Sequence, residues 1–167
     1  MTPAPSKLLP IGPVSEIIVP ERPQISIVST MYRSQPFLDE FLAACLAALH
    51  QIDIVDFEII LVNDGSPDNS LTYALERRQD IAQLVVIDLS RNFGHHHAMQ
   101  AGLQHARGEL VFLIDCDLEV SPLSLPAFYG KLRETGCDIV FGYQEARKGG
   151  EHAAGYLSGA HSARQDP

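Results

Sequence analysis

The sequence predicts an α/β protein: a mostly parallel sheet with helices packed on both faces. Three observations carry that expectation. Short apolar runs alternate with longer stretches whose apolar residues recur at helical spacing. The connections are short, as in repeated strand–helix–strand units. Polar residues with chemical potential follow each of the first four apolar runs, where ligands of such sheets bind, outside the carboxyl ends of the strands.

Taken in order, residues 25–29 read as a first strand. Residues 37–50 read as a helix, with Phe37, Leu38, Phe41, Leu42, Cys45, Leu46 and Leu49 on one face. Residues 57–62 form a second strand. Ser66 to Ser70 supply turn and capping groups for a helix ending near Gln79. Residues 84–89 are a third strand and 95–106 a third helix, ended by Arg107-Gly108. The unbroken apolar run Leu110 to Ile114 reads as a fourth strand, buried on both faces. Pro122 opens a helix to Thr135, and residues 138–143 are a fifth strand.

Three segments follow from this pattern. Residues 1–23 hold six of the eleven prolines and read as an extended leader. Residues 24–143 form the folded domain. Residues 144–167 read as an irregular, truncated tail, with a helix near 151–158 the one element that suggests itself.

Composition narrows the function. The formal net charge of −9 argues against a nucleic-acid partner, which needs a basic face. It leaves room for an anionic nucleotide, because a metal ion and backbone dipoles offset charge locally. Cys45, Cys116 and Cys137 are odd in number and widely spaced, which supports neither a disulfide framework nor structural zinc. No apolar run approaches the roughly 20 residues that span a bilayer, and no signal pattern opens the chain. The expected location is cytoplasmic, at most peripheral to a membrane.

Asp115 and Asp117 stand at i, i+2 after the fourth run. Alternation along a strand points both the same way. Two carboxylates so placed repel unless a cation lies near them, and Mg²⁺ or Mn²⁺ bridges such oxygens to a substrate diphosphate. The alternative is a solvated acidic loop. Asp64 is placed to accept hydrogen bonds from a base or ribose, or else to make turn bonds only. Asp68 reads as a helix cap. Arg91 precedes a helix N-terminus and is placed to reach a phosphate, or is a surface arginine. His95, His96 and His97 are consecutive and cannot chelate one ion together. One of them is expected to be buried or to face a ligand, the other two to lie at the surface. GxxxxGK[ST], GxGxxG and GxSxG are absent, which removes P-loop NTPases, Rossmann dehydrogenases and α/β-hydrolases.

The ordered set Ile25 to Tyr32, Ile60 to Asp68, Leu89 to Gly94, Ala106-Arg107-Gly108 and Asp115-Cys116-Asp117 resembles the family 2 glycosyltransferases, closest to the polyprenyl- and dolichyl-phosphate sugar synthases. The resemblance implies a GT-A fold, Rossmann-like, of which this chain holds the nucleotide-binding half. It implies transfer of a sugar from a nucleoside-diphosphate sugar, assisted by Mg²⁺ or Mn²⁺, to an acceptor for which a lipid phosphate is the candidate. It places Asp115 and Asp117 on the metal, with Asp117 the catalytic choice for direct contact. It assigns the nucleotide to Thr30, Tyr32, Ser34, Val62, Asp64, Arg91, Asp115 and Cys116, the last through its backbone, with Glu119 in support. Ser34 stands where the family often has a glutamate, and Asn63 replaces the first residue of a usual Asp pair. The missing acceptor half leaves two alternatives: a sugar-nucleotide-binding module that has lost transfer, and, further off, a nucleotidyltransferase. It also makes association into homo-oligomers an expectation, because losing half a domain exposes apolar surface.

Overall fold

The computed structural model describes residues 22–142 and 160–163. Four parallel strands form the main sheet: β1 (Ile25–Met31), β2 (Phe57–Asn63), β3 (Leu84–Asp88) and β4 (Leu110–Leu113), in spatial order β3-β2-β1-β4. The crossovers are α1 (Leu38–Gln51), α2 (Ser70–Asp80) and α3 (His95–His105), and α4 (Leu125–Thr135) follows β4. Short 3-10 turns at Gln35–Phe37 and Pro122–Ser124 lead into α1 and α4. The expected α/β class and parallel sheet are therefore present.

Alternation along β1 and β2 sorts their side chains onto two faces. Ile25, Ile27, Met31, Ile59 and Leu61 pack with α1, with Ala74 of α2 and with Leu125 of α4. Val28, Ile60 and Val62 face the other way, against Ala98 of α3. Close approach of α3 depends on Gly102: a Cβ there would lie 2.5 Å from a Val28 methyl and 3.0 Å from one of Val62. Cys45 is fully buried on the α1 face, in the packing role its spacing suggests.

Two expectations need correction. The fourth run is not buried on both faces. Paired to β1 alone, β4 is an edge of the four-stranded sheet, and Val111 and Leu113 are 43% and 40% exposed on the α3 side. Their run of apolar residues looks the same as that of a central strand, because hydrophobicity does not record which neighbours are in place. The expected fifth strand is present as β5 (Ile139–Gly142), in a separate two-stranded sheet. It pairs antiparallel with β6 (Ala160–Ala163), a strand in the tail that the sequence pattern left irregular. An apolar cleft of about 280 Å³ separates β4 from β5, lined by Val111, Phe112, Leu125, Phe128, Ile139 and Val140. The expected leader up to residue 21 and the helix near 151–158 lie outside the described residues.

At the end of the sheet where the strands begin, Glu58 is buried at 2% exposure. Its Oε1 accepts from the Ser26 hydroxyl (2.7 Å) and the Arg107 backbone N–H (2.7 Å), and its Oε2 from the Arg107 guanidinium at 3.0 and 2.8 Å. Gly108 N–H closes the group by donating to Ser26 Oγ, and a Cβ on Gly108 would meet Ser26 N at 2.5 Å. The Ala106-Arg107-Gly108 motif is thus a clamp tying the end of α3 to β1 and β2. Burial alone would raise the Glu58 pKa. The bonds from Ser26 and Arg107 outweigh it and hold the carboxyl below its ordinary 4.5. The stabilisation is present above 4.5 and is lost as the pH falls through the lowered value. Glu58→Gln should therefore cost about 2 kcal/mol near neutral pH, and the gap to the wild-type chain should shrink in acid. Urea unfolding at the two pH values checks this.

Candidate functional site

Parallel pairing brings the ends of β1, β2, β3 and β4 to one edge. Thr30 stands beside Val62, Met31 beside Asn63, and Val28 beside Leu113. The loops that leave this edge carry nearly every residue the sequence singled out. They are held to each other by side-chain to backbone bonds.

The loops after β1 and β2 are joined through three short polar side chains. Ser70 Oγ accepts the N–H groups of Ser34 and Gln35, both at 2.9 Å, and donates to Asp68 at 2.6 Å. Ser66 Oγ accepts the Arg33 N–H at 2.7 Å and also donates to Asp68. Burial raises the Asp68 pKa, but the bonds from Ser66 and Ser70 overcome it and leave the carboxyl below its usual value. Asp68 is the turn and cap group that the sequence suggested. Arg33 takes φ +55°, a left-handed backbone at the tip of this loop.

The loops after β2 and β3 are joined by Asp64. Its Oδ1 accepts Phe93 N–H at 2.7 Å, its Oδ2 accepts Gly94 N–H at 3.0 Å, and its carbonyl accepts from the Asn92 side-chain amide at 3.0 Å. Gly65, at φ +59°, allows the approach: a Cβ there would lie 2.5 Å from Asn92 N. Beside it, Asn63 donates from Nδ2 to Asp88 (2.8 Å) and accepts Ser66 N–H at Oδ1 (3.2 Å). A single side chain must donate on one side and accept on the other. That accounts for an amide where the family pair has a carboxylate, since aspartate there would face Asp88 with like charge.

Beyond β4 the chain leaves the strand and turns at Cys116 and Asp117, while burial still alternates. Ile114 and Cys116 are buried, while Asp115 and Asp117 are exposed between and after them. Both carboxylates are open to solvent. Cys116 Sγ donates to Thr30 O at 2.9 Å. Burial raises its thiol pKa, so it is an unreactive packing group. Asp117 Oδ1 accepts Glu119 N–H at 3.0 Å, and Leu118 between them has φ +62°, which turns the chain sharply after the carboxylate pair. Thr30 Oγ1 meets His95 Nδ1 at 3.1 Å, and His95 Nε2 lies 3.6 Å from Asp115 Oδ1. Of the three histidines, His95 is the one facing the site; all three are exposed.

The edge therefore gathers Thr30, Tyr32, Asp64, Arg91, Asp115, Cys116 and Asp117, but with different freedom. Tyr32 is half exposed, and Arg91 is exposed with its guanidinium 4.1 Å from the centre of the Phe93 ring. Two expected nucleotide contacts do not present a side chain. Val62 is fully buried under α3. Ser34 is 5% exposed, and its hydroxyl accepts Tyr32 N–H at 3.0 Å. Asp64 is 3% exposed, and its two oxygens accept the Phe93 and Gly94 N–H groups. The sequence reading missed His95 as a partner of Asp115 and missed Ser66 and Ser70 as braces. Spacing gave no sign of either, since each contact joins loops far apart in the chain.

The Asp115–Asp117 pair was tested for a divalent ion by the chemistry of its donors. Both are solvent-exposed hard oxygen donors two residues apart, the kind Mg²⁺ and Mn²⁺ take together with substrate phosphates and water. Among the described residues no three His, Cys, Asp or Glu side chains form a complete cage. Two carboxylates that share an ion with a diphosphate fit this arrangement; an all-protein cage does not.

With this geometry in view, comparison with known proteins is informative. The profile of glycosyl transferase family 2 matches residues 26–164, and the chain belongs to that family. A protein of Mycobacterium tuberculosis (strain CDC 1551 / Oshkosh) described among putative glycosyltransferases is 52% identical over 127 residues, covering 76% of this chain and 37% of its own length. An uncharacterised glycosyltransferase of Synechocystis sp. is 38% identical over 126 residues, 75% of this chain and 39% of its own. The chain thus spans well under half the length of these relatives. Among solved structures, S. aureus TarS 1-349 in complex with UDP-GlcNAc superposes with a TM-score of 0.56 at 26% identity, covering 69% of this chain and 32% of that one. The four-stranded parallel sheet and its helices are the Rossmann-like GT-A arrangement of those enzymes.

Asp64→Asn replaces one accepting oxygen by an amide that opposes a backbone N–H. The loop from Arg91 to Gly94 should loosen, at a cost of about 2 kcal/mol. Hydrogen exchange at Phe93 and Gly94 should quicken far more than exchange in β1, and amide exchange by NMR reads the difference.

Proposed function

We propose that this domain binds a nucleoside-diphosphate sugar along the strand-end edge and serves sugar transfer to an acceptor. The observation that carries the reading is the pair Asp115 and Asp117, both open to solvent at the strand-end edge while Ile114 and Cys116 beside them are buried. A structural acidic turn would spend its oxygens on nearby N–H groups, as Asp64 and Asp68 do. This pair keeps most of its lone pairs toward solvent. TarS, which holds UDP-GlcNAc, shares the fold and 26% identity and supports a nucleotide sugar as donor.

In this reading Tyr32, exposed beside the β1 loop, offers a face to the base, and Arg91, in the loop that leads into α3, offers its guanidinium to a phosphate. The Cys116 backbone runs between the two acids, alongside the ribose and diphosphate. Mg²⁺ or Mn²⁺ would be held by Asp115 and Asp117, with Asp117 in direct contact, and when bound offsets charge on the departing diphosphate. Glu119, two residues on, supports Asp117 through its backbone N–H. The chain's own part is to hold these groups in register on rigid strand ends. A lipid phosphate is an acceptor class compatible with this reading: its second pKa of about 6 leaves it anionic without a protein base. Membrane contact, if the acceptor is a lipid, would be peripheral for this part of the chain: no helix among the described residues is long and apolar enough to cross a bilayer.

Calorimetric titration with UDP- and GDP-sugars, with and without Mn²⁺, tests the reading. Binding should strengthen with the metal and lose that gain in Asp117→Ala. Metal-independent binding, or none to any sugar nucleotide, would refute it. Turnover with polyprenyl phosphate then separates the transferase from a binding module, which would take the donor without consuming it.

A further inference from the structure

His95 is the first residue of α3, and its ring lies between Thr30 near the end of β1 and Asp115 beyond β4. The residue before it, Gly94, has φ +94° and is anchored through its N–H to Asp64. The helix start is therefore placed by the β2 loop. From there the ring reaches Thr30 on β1 through Nδ1 at 3.1 Å and lies 3.6 Å from Asp115 beyond β4 through Nε2. The His96 ring stands edge-on to it at 5.5 Å, which limits its swing. Asp115 is more than half exposed, and His95 is the side chain the structure places beside its carboxylate among the described residues.

We propose that His95 is a positioning residue: it carries the hold of the Thr30 hydroxyl across the edge to Asp115 and so orients that carboxylate toward the ion it shares with the donor diphosphate. The inference rests on the metal–diphosphate reading above. The chemistry needs only the neutral ring. With the Thr30 hydroxyl donating to Nδ1, the proton resides on Nε2 and points at the carboxylate. A small turn of the exposed carboxylate shortens the 3.6 Å separation to a hydrogen bond. Carboxylates that hold metal are commonly fixed in this way by an outer partner, whose loss typically weakens metal binding about tenfold or more.

The test uses the full 167-residue chain with Mn²⁺ and UDP as probes. His95→Ala should weaken Mn²⁺-dependent UDP binding about tenfold and leave metal-free UDP binding as it is. His95→Gln, whose amide can still donate, should recover most of the loss, which a merely structural role would not produce. In parallel, the His95 imidazole nitrogen resonances should move in Asp115→Ala and in Thr30→Val. Wild-type affinity for Mn²⁺ and UDP in His95→Ala overturns the proposal. So do imidazole resonances that stay put when Asp115 is removed. If the wild-type chain shows no Mn²⁺-dependent binding at all, the donor-site reading falls, and the resonances alone decide whether Thr30, His95 and Asp115 are linked.

Discussion

Parallel pairing on both sides of β1 is the constraint from which the site follows. A parallel pair cannot be joined by a tight turn, so each strand must be followed by a helix that returns the chain to its starting end. Every loop leaving a strand therefore emerges at the same edge. The register sets their levels: Thr30 beside Val62 and Val28 beside Leu113 put the loop after β1 between those after β2 and β4. Polar bonds then complete what pairing began. Ser66, Ser70 and Asp68 join the first two loops, Asp64 joins the second to the third, and Cys116 ties the fourth back to Thr30.

The edge divides its carboxylates by duty. Asp64 and Asp68 lie within reach of backbone N–H groups and hydroxyls and are consumed there. Asp115 and Asp117 sit where the chain has left the sheet but still alternates, so they face water while their neighbours face the core. The negative charge of the whole chain does not decide which acids bind a ligand. The supply of local donors does. At the opposite end of the sheet the same rule gives a buried Glu58, surrounded by enough donors to remain ionised.

The fold class, the order of elements through α4 and the alternating burial from Ile114 to Asp117 were legible in the sequence, because they rest on periodicity. Contacts between loops were not. Nothing near Asp64 announces that its partners are Phe93 and Gly94, and nothing near His95 points to Asp115. Val62 and Ser34 sit in motif positions that suggest ligand contact, yet the helix above and the loop bonds below enclose them. Edge exposure of β4 and the pairing of β5 with β6 escaped for a related reason. An apolar run records that a strand wants cover, not what covers it. Glu58 went unnoticed since a lone acid in a strand looks like a solvent-facing residue until Ser26 and Arg107 are seen beside it.

The wedge of Gly65 against the Arg91–Asn92 backbone has a consequence for how the site comes into being. No side chain fits between those two segments, so their contact is either fully made or absent. Asp64 reaches Phe93 and Gly94 only once that contact is closed, and Gly94 in turn sets where α3 begins. The loop surface at this edge is therefore built together with the junction of β2 with β3, and a ligand that bound this surface would add its binding energy to the stability of the sheet itself.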